Sequence, residues 1–184
     1  MRVVVIWTFV CFMFMGCASE ANKKFTDRVA FTPSFECENM IIELINSSID
    51  TIDVAVYSIN NDNIVEALQN AYKRGVKIRI LTDKVQASNK HSKAVDLYKS
   101  GLDIKVNSKH KIEHNKFGVF DGKYVVTGSY NWTNAATSKN SENCYLIASD
   151  KTSIVGYKKR YDYLWNVNNK EKSKNWFMKK LQYL

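Results

Sequence analysis

The chain has 184 residues, a length that predicts one globular domain with a short extension. Hydrophobic residues make up 45% and charged residues 24%, which is ordinary globular composition and argues against a disordered chain. Lysine and arginine outnumber aspartate and glutamate by 27 to 18, which gives a net charge of +9 and favours a polyanionic partner, either nucleic acid or an anionic membrane surface. His91, His110 and His114 are the three histidines, so any histidine chemistry is confined to one short stretch.

The amino terminus is typical of an export signal. Its apolar run from Val3 to Met15 is shorter than the about 20 residues of a membrane span but suits a secretory leader. Small residues flank Cys17 at the end of the run and resemble a bacterial lipoprotein site, while cleavage after Ser19 and a retained membrane anchor are the alternatives. We therefore expect residues 1–19 to be a leader or anchor, residues 20–184 to be the folded domain, and the protein to be exported, periplasmic or membrane-associated.

Export leaves Cys37 and Cys144 in the mature chain. Two cysteines can pair in an oxidising compartment, but the sequence does not show that they are close, and two separate buried thiols are equally compatible with it. They lack the short spacing of a zinc motif, so we expect no metal and no cofactor.

The next segments alternate between helix and strand. Their apolar periodicity predicts helices that begin at Thr32-Pro33-Ser34, at Asn61-Asp62 and near Ser92, with strands at residues 51–59, 76–81 and 102–106. This alternation favours parallel neighbours with helices that cover the sheet.

The pattern changes after residue 115. Three strands are predicted at Lys116–Phe120, Tyr124–Thr127 and Asn143–Ala148, and Asp121-Gly122-Lys123 suits a tight turn between the first two. The last 34 residues form a predicted basic, helical tail. The expected fold is one α/β domain per chain, with a mixed, mainly parallel sheet flanked by helices on both faces.

The residues that carry chemistry lie around the predicted hairpin. His114 and Lys116 are two residues apart and therefore share a face of an extended segment, which sets a nucleophile beside a fixed ammonium group. The hairpin returns the chain, so a loop with Gly128, Ser129 and Asn131 can lie beside them and offer donors to phosphate oxygens. One nucleophile and several donors, without clustered carboxylates, favour phosphate chemistry without a metal ion.

From His114 to Asn131 the sequence reads His-x-Lys-x4-Asp-x6-Gly-Ser-x-Asn. This pattern resembles the signature of the phospholipase D superfamily at every fixed position. Further matches extend the resemblance to the short, single-motif bacterial endonuclease branch called Nuc over roughly residues 28–165; they are Phe31-Thr32-Pro33, Ala55-Val56-Tyr57-Ser58, Arg74-Gly75-Val76 and Glu142-Asn143. The mitochondrial cardiolipin hydrolase/Zucchini proteins are more distantly similar, since their cysteine-rich zinc insertion is absent here.

The resemblance implies that His114 attacks phosphorus to form a phosphohistidine. Lys116 and Asn131 would hold the non-bridging oxygens, with Ser129 as a nearby hydroxyl donor. Glu142 would accept a hydrogen bond from the other ring nitrogen of His114. Asp121 belongs to the catalytic motif, although a structural role suits it better than proton donation. The family uses two motifs, so this single-motif chain is expected to form a homodimer in which a second copy supplies the second histidine.

The remaining sequence bears on the substrate. Eight lysines stand against three acids between Lys84 and Lys116, and nine lysines and arginines stand against two acids in the last 34 residues, with Trp165, Trp176 and Phe177 among them. Such a mixture suits single-stranded nucleic acid, DNA or RNA, although a solvated basic face or an anionic membrane surface is also compatible with it. We expect a metal-independent, sequence-nonspecific endonuclease. The alternatives are a phospholipase D that acts on lipid head groups and an envelope nucleic-acid-binding protein with weak catalysis.

Overall fold

The computed structural model describes residues 24–182. The expected leader, with Cys17, lies outside the described residues. Within residues 24–182, none of the helices has both the length and the apolar character needed to cross a membrane.

The described chain forms one seven-stranded sheet with helices on both faces. The strands are β1 (Arg28–Phe31), β2 (Thr51–Val56), β3 (Lys77–Thr82), β4 (Asp103–Val106), β5 (Lys116–Phe120), β6 (Tyr124–Gly128) and β7 (Asn143–Ile147). The helices are α1 (Glu36–Ser47), α2 (Asp62–Lys73), α3 (Lys84–Ala87), α4 (Ala94–Lys99), α5 (Asn134–Ser138), α6 (Lys151–Val167) and α7 (Lys170–Leu181).

The strand order is β1-β7-β6-β5-β2-β3-β4. The expected α/β class, mixed sheet and single domain are confirmed, but the expectation of a mainly parallel sheet is wrong. Only the β2–β3 and β3–β4 pairs are parallel, and the other four pairs are antiparallel. The reason is that β5 enters the sheet antiparallel to β2, and the tight turn after β5 lacks the long crossover that parallel neighbours need.

The two faces of the sheet carry separate apolar clusters. On one face, the larger cluster packs side chains of α1, α2, α4 and α7, such as Leu44, Leu68 and Phe177, against the sheet. On the other face, Tyr161 and Leu164 of α6 cover β2, β5 and β6. The sheet is therefore flanked on both faces, as the sequence predicts.

Some elements differ from the sequence prediction. Strand β1 and the short helices α3 and α5 were not predicted. The helical tail is divided in two because Asn168 ends α6, and the Asn169 side chain accepts a hydrogen bond from the Lys172 N–H and begins α7. Two aromatic residues of the tail, Trp165 and Phe177, are buried in the clusters, so of the three expected to contact nucleic acid only Trp176 lies partly open.

Cys37 and Cys144 form a disulfide, which resolves the alternative that the sequence left open. The bond joins α1 to β7, and both residues are buried. Gly128 is the register partner of Cys144 on β6, so the disulfide lies at the end of the sheet where the loop after β6 begins.

The topology gathers many loops at one edge of the sheet. Strands β2, β3, β4 and β6 end there, and β5 and β7 begin there. This site edge is formed by the residues that follow Val56, Thr82, Val106 and Gly128 and by those that precede Lys116 and Asn143. It collects the residues that the sequence marks as functional, with the exception of Asp121.

Candidate active site

His114 and Lys116 lie against the same aromatic ring at the site edge. The ring of His114 meets the ring of Tyr57 edge to face at 4.7 Å between centroids. The Lys116 ammonium lies 5.1 Å from the centroid of the Tyr57 ring and donates to the His114 carbonyl oxygen at 2.6 Å. The two side chains therefore share a face, as their spacing predicts.

Buried acids position the segment that carries His114. The Asp83 carboxylate accepts from the backbone N–H of Glu113 and also caps α3. Glu113 is 1% exposed, and its carboxylate accepts from both the backbone and the side chain of Asn115. Because the Asn115 carbonyl accepts from the backbone N–H of Tyr57, the residues on either side of His114 are fixed to β2 and β3.

The loop after β6 lies beside this segment, since Thr127 is opposite Phe117 in the hairpin. Gly128 is required there because a Cβ atom at this position would lie 2.2 Å from the carbonyl oxygen of Asn143. The backbone N–H groups of Ser129 and Tyr130 both donate to the same carbonyl, which holds the loop against β7.

Asn131 follows in this loop, and its side-chain oxygen is unengaged. Its Oδ1 is buried and has no hydrogen-bond partner among the described residues. The backbone is fixed, because the next residue, Trp132, is buried and its carbonyl accepts from Asn60 and Asn61 after β2. A buried acceptor oxygen that the fold positions and leaves unpaired suits contact with a donor group of a ligand.

The carboxylate of Glu142 is held by neighbours other than the histidine. It accepts from the Ser129 hydroxyl at 2.6 Å and from the Asn140 amide at 2.9 Å. Thr32 binds the Glu142 backbone on both sides, donating its N–H to the carbonyl and accepting the Glu142 N–H at its hydroxyl. Within the described chain the expected bond from His114 to Glu142 is not formed. The Ser129 hydroxyl, which is expected to donate to a phosphate oxygen, donates here to the Glu142 carboxylate.

Burial and charge act in opposite directions on Lys116. Burial lowers the pKa of the Lys116 ammonium, while Glu142 and Glu113 nearby raise it, and the net direction is downwards. The ammonium is thus a partly desolvated cation, and it interacts more strongly with an anion than a lysine in open water does.

Asp121 lies away from this site. It follows the last residue of β5, so roughly 16 Å of extended chain separates it from Lys116. Its carboxylate accepts from the backbone N–H groups of Ile49, Asp50 and Thr51, and thereby joins the β5–β6 turn to the start of β2. These contacts suit the structural role that the sequence reasoning favours for Asp121, and a catalytic role for it stays a prediction.

Tyr57, Asp83, Glu113 and Thr32 are positioning residues whose roles the sequence did not reveal. Tyr57 stands in one of the matching stretches and was detectable there, whereas the two buried acids read as ordinary loop residues until the chain is folded. Among residues 24–182, no group of three or more histidine, cysteine, aspartate or glutamate side chains is arranged to hold a metal ion.

Comparison with known proteins identifies the family. The family described as "Cardiolipin synthase, PLD-like domain" matches residues 41–165, which is more than half of the chain. The chain belongs to the phospholipase D superfamily. The matched region contains His114, Lys116 and Asn131.

A solved structure of this superfamily has the same fold. Nuc from Salmonella typhimurium, a phospholipase D family member, superposes with a TM-score of 0.74 at 29% identity, over 78% of this chain and 96% of Nuc. NucT from Helicobacter pylori superposes with a TM-score of 0.69 at 24% identity, over 77% of this chain and 97% of NucT, and at that identity the likeness shows the fold alone.

Curated relatives of the superfamily carry two names. "Phospholipase D" of Rickettsia prowazekii is 37% identical over 66% of this chain and 59% of its own length. "Mitochondrial cardiolipin hydrolase" of Chlamydomonas reinhardtii is 29% identical over 68% of this chain and 56% of its own length. The chain therefore spans less than two thirds of the length of these relatives.

Proposed function

We propose that the protein is an endonuclease that hydrolyses nucleic-acid phosphodiester bonds through a phosphohistidine on His114, without sequence preference and without a metal ion. One observation carries this proposal: the residues of the superfamily signature other than Asp121 meet on an open edge, with His114 exposed and Lys116 and Asn131 half-buried beside it. The resemblance to the Nuc-like endonuclease branch and the 96% coverage of Nuc support the same reading.

In the first step a ring nitrogen of His114 attacks the phosphorus atom. A P–N bond forms, the P–O bond to the leaving nucleotide breaks, and the leaving oxygen takes a proton from a general acid. Lys116 and Asn131 hold the non-bridging oxygens as negative charge shifts onto them.

The general acid is the part that one chain does not supply. The signature occurs once in the sequence, and neither His91 nor His110 has a described contact with His114. We assign the acid to the partner subunit's His114, across a twofold axis that brings two site edges together. In the second step the partner subunit's His114, now neutral, takes a proton from water. The water oxygen bonds to phosphorus, the P–N bond breaks, and His114 is restored.

The charge at the site edge supports a polynucleotide substrate. Lys84, Lys109 and Lys111 are exposed on this edge, next to the catalytic segment. Lys105, in contrast, is buried, and its ammonium donates to the carbonyls of Trp165 and Asn168 at the end of α6. The exposed lysines suit repeated phosphates along a backbone.

A phospholipase D activity is the second candidate. The relatives named phospholipase D and mitochondrial cardiolipin hydrolase favour it, and its phosphodiester chemistry is the same at His114. The two candidates differ in what binds beside the phosphate, so only substrate assays separate them.

Two features support the proposal that the protein acts outside the cytoplasm. The apolar run before residue 19 suits an export leader, with lipidation at Cys17 as one form of membrane attachment. The Cys37–Cys144 disulfide is of a kind that persists in oxidising compartments such as the bacterial periplasm.

The dimer is tested by subunit mixing. Co-expressed wild-type and His114→Ala chains form mixed dimers that hold a single catalytic histidine. The activity per wild-type chain should then fall in proportion to the wild-type fraction. A constant activity per wild-type chain, or a fully active monomer by sedimentation, would contradict the shared site.

A further inference from the structure

A groove lies between α7 and the ends of β3 and β4, and its α7 side lies outside the region that the family match covers. It has a volume of about 290 Å³, and it is lined by Lys84, Lys172, Lys179 and Trp176 among others. None of the described residues that line it is acidic. Its chemistry is therefore cationic and aromatic.

Helix α7 is held firmly against the domain, so the groove is preformed. Phe177 is buried and stacks on Tyr98 with 4.3 Å between ring centroids. The Ser173 hydroxyl accepts from the backbone N–H of Val106 at the end of β4. With these residues facing inwards, the outer side of the helix carries the exposed Lys172 and Lys179 and the half-buried Trp176, which are spaced by four and three residues.

The groove opens on the same edge as the catalytic residues. In the sheet, β4 is the third strand away from β5. Because neighbouring strands lie about 4.8 Å apart, the groove beside β4 is roughly 14 Å from the start of β5. Residues 107–113 connect β4 to His114 along this edge, and Lys109 and Lys111 are exposed there. A cationic path therefore runs from the groove to His114.

We propose that this groove is a second binding site for single-stranded nucleic acid, which holds the strand a few nucleotides away from the phosphate that is cleaved. Lys84, Lys172 and Lys179 contact backbone phosphates, and a base stacks on Trp176. This inference rests on the proposed nuclease function and adds the site that retains long substrates. A concave groove with an aromatic ring among its lysines suits a strand better than a flat membrane surface.

The test compares substrates of different length. Bis(p-nitrophenyl) phosphate reports the chemistry at His114 and is too small to reach the groove, whereas a single-stranded oligonucleotide of about 20 nucleotides spans both sites. Trp176→Ala should raise the KM for the oligonucleotide by about tenfold, because stacking of one base is lost. Hydrolysis of bis(p-nitrophenyl) phosphate should stay unchanged.

The matched controls separate a local site from general charge. The pair Lys172→Ala and Lys179→Ala should reduce the slope of log affinity against log salt by about 1.4, since two phosphate contacts with a single strand are lost. The pair Lys99→Ala and Lys123→Ala removes the same charge from exposed positions at the opposite edge, and it should leave this slope nearly unchanged.

Three results would overturn the proposal. Equal effects of the two lysine pairs would show diffuse attraction instead of a site. An unchanged oligonucleotide KM in Trp176→Ala would remove the stacking contact. If the Lys172→Ala and Lys179→Ala variant lost binding to anionic phosphatidylglycerol vesicles but still bound the oligonucleotide, the groove would be a membrane-binding surface. A wild-type protein that hydrolyses bis(p-nitrophenyl) phosphate but no oligonucleotide would instead refute the nuclease function itself.

Discussion

Cys37 and Cys144 are separated by 107 residues in sequence and joined by a disulfide in the fold. Replacing both with alanine releases this constraint in the unfolded chain. For a loop of about 100 residues, the chain-entropy argument gives a loss of about 4.7 kcal/mol at 25 °C. A domain of this size is stable by roughly 5–15 kcal/mol, so the bond accounts for a large share of its stability.

Urea unfolding measures this effect directly. If the free energy of unfolding changes by about 2 kcal/mol per molar urea, the double alanine variant should unfold at a urea concentration about 2 M lower than the oxidised wild type. The wild type under reducing conditions should behave like the double variant, because both lack the same bond. A single Cys37→Ala variant is the control for the small loss of buried volume, and it should match the double variant closely.

The disulfide also has a predicted local effect. Cys144 adjoins Asn143, whose carbonyl holds the loop of Ser129, so release of the bond loosens the segment beside the catalytic residues. We expect the folded double variant to cleave substrate more slowly below its unfolding range. Equal urea midpoints of the oxidised wild type and the double variant would refute the stability argument.

Three further predictions concern individual side chains. Tyr161→Phe should stabilise the fold by about 1 kcal/mol in urea unfolding, because the Tyr161 hydroxyl is buried with no partner among the described residues. A loss of stability would show that this hydroxyl forms a hydrogen bond. Asp121→Ala should destabilise the protein by about 2 kcal/mol, since three backbone N–H groups lose a charged acceptor. The kcat of the folded fraction should be unchanged, and a large fall in kcat would show that Asp121 is a catalytic residue. Lys116 holds phosphate only when it is protonated, and its pKa is lowered. The alkaline fall of kcat/KM should therefore occur at a pH below 10.5, the ordinary lysine pKa. A profile that is flat up to that pH would show that Lys116 carries no essential charge.

Much of the fold could be predicted because the residues carry local signals. The apolar periodicity of α1 and α2 and the turn at Asp121-Gly122 appear in the sequence within one element each. Strand β1 was missed because it has four residues and lies at an edge, where Val29 and Phe31 are exposed and give no buried pattern. The direction of β5 depends on its neighbour β2, a pairing between distant segments that no local pattern records.

The candidate site shows the same division. His114, Lys116 and Asn131 could be found from the motif, because their spacing in the sequence reflects one hairpin. The partners of Glu142 and the buried support from Glu113 depend on contacts between different loops. Those contacts become visible only in the folded chain.

Cleavage of a labelled single-stranded oligonucleotide in excess EDTA tests the central claim most directly, with phosphatidylcholine assayed beside it under the same conditions. The wild type should cut the oligonucleotide with EDTA present, and His114→Ala should cut it at least about 1000-fold more slowly while it still binds the strand. Loss of wild-type activity on chelation, full activity of His114→Ala, or release of head groups without cleavage of the oligonucleotide would contradict the account.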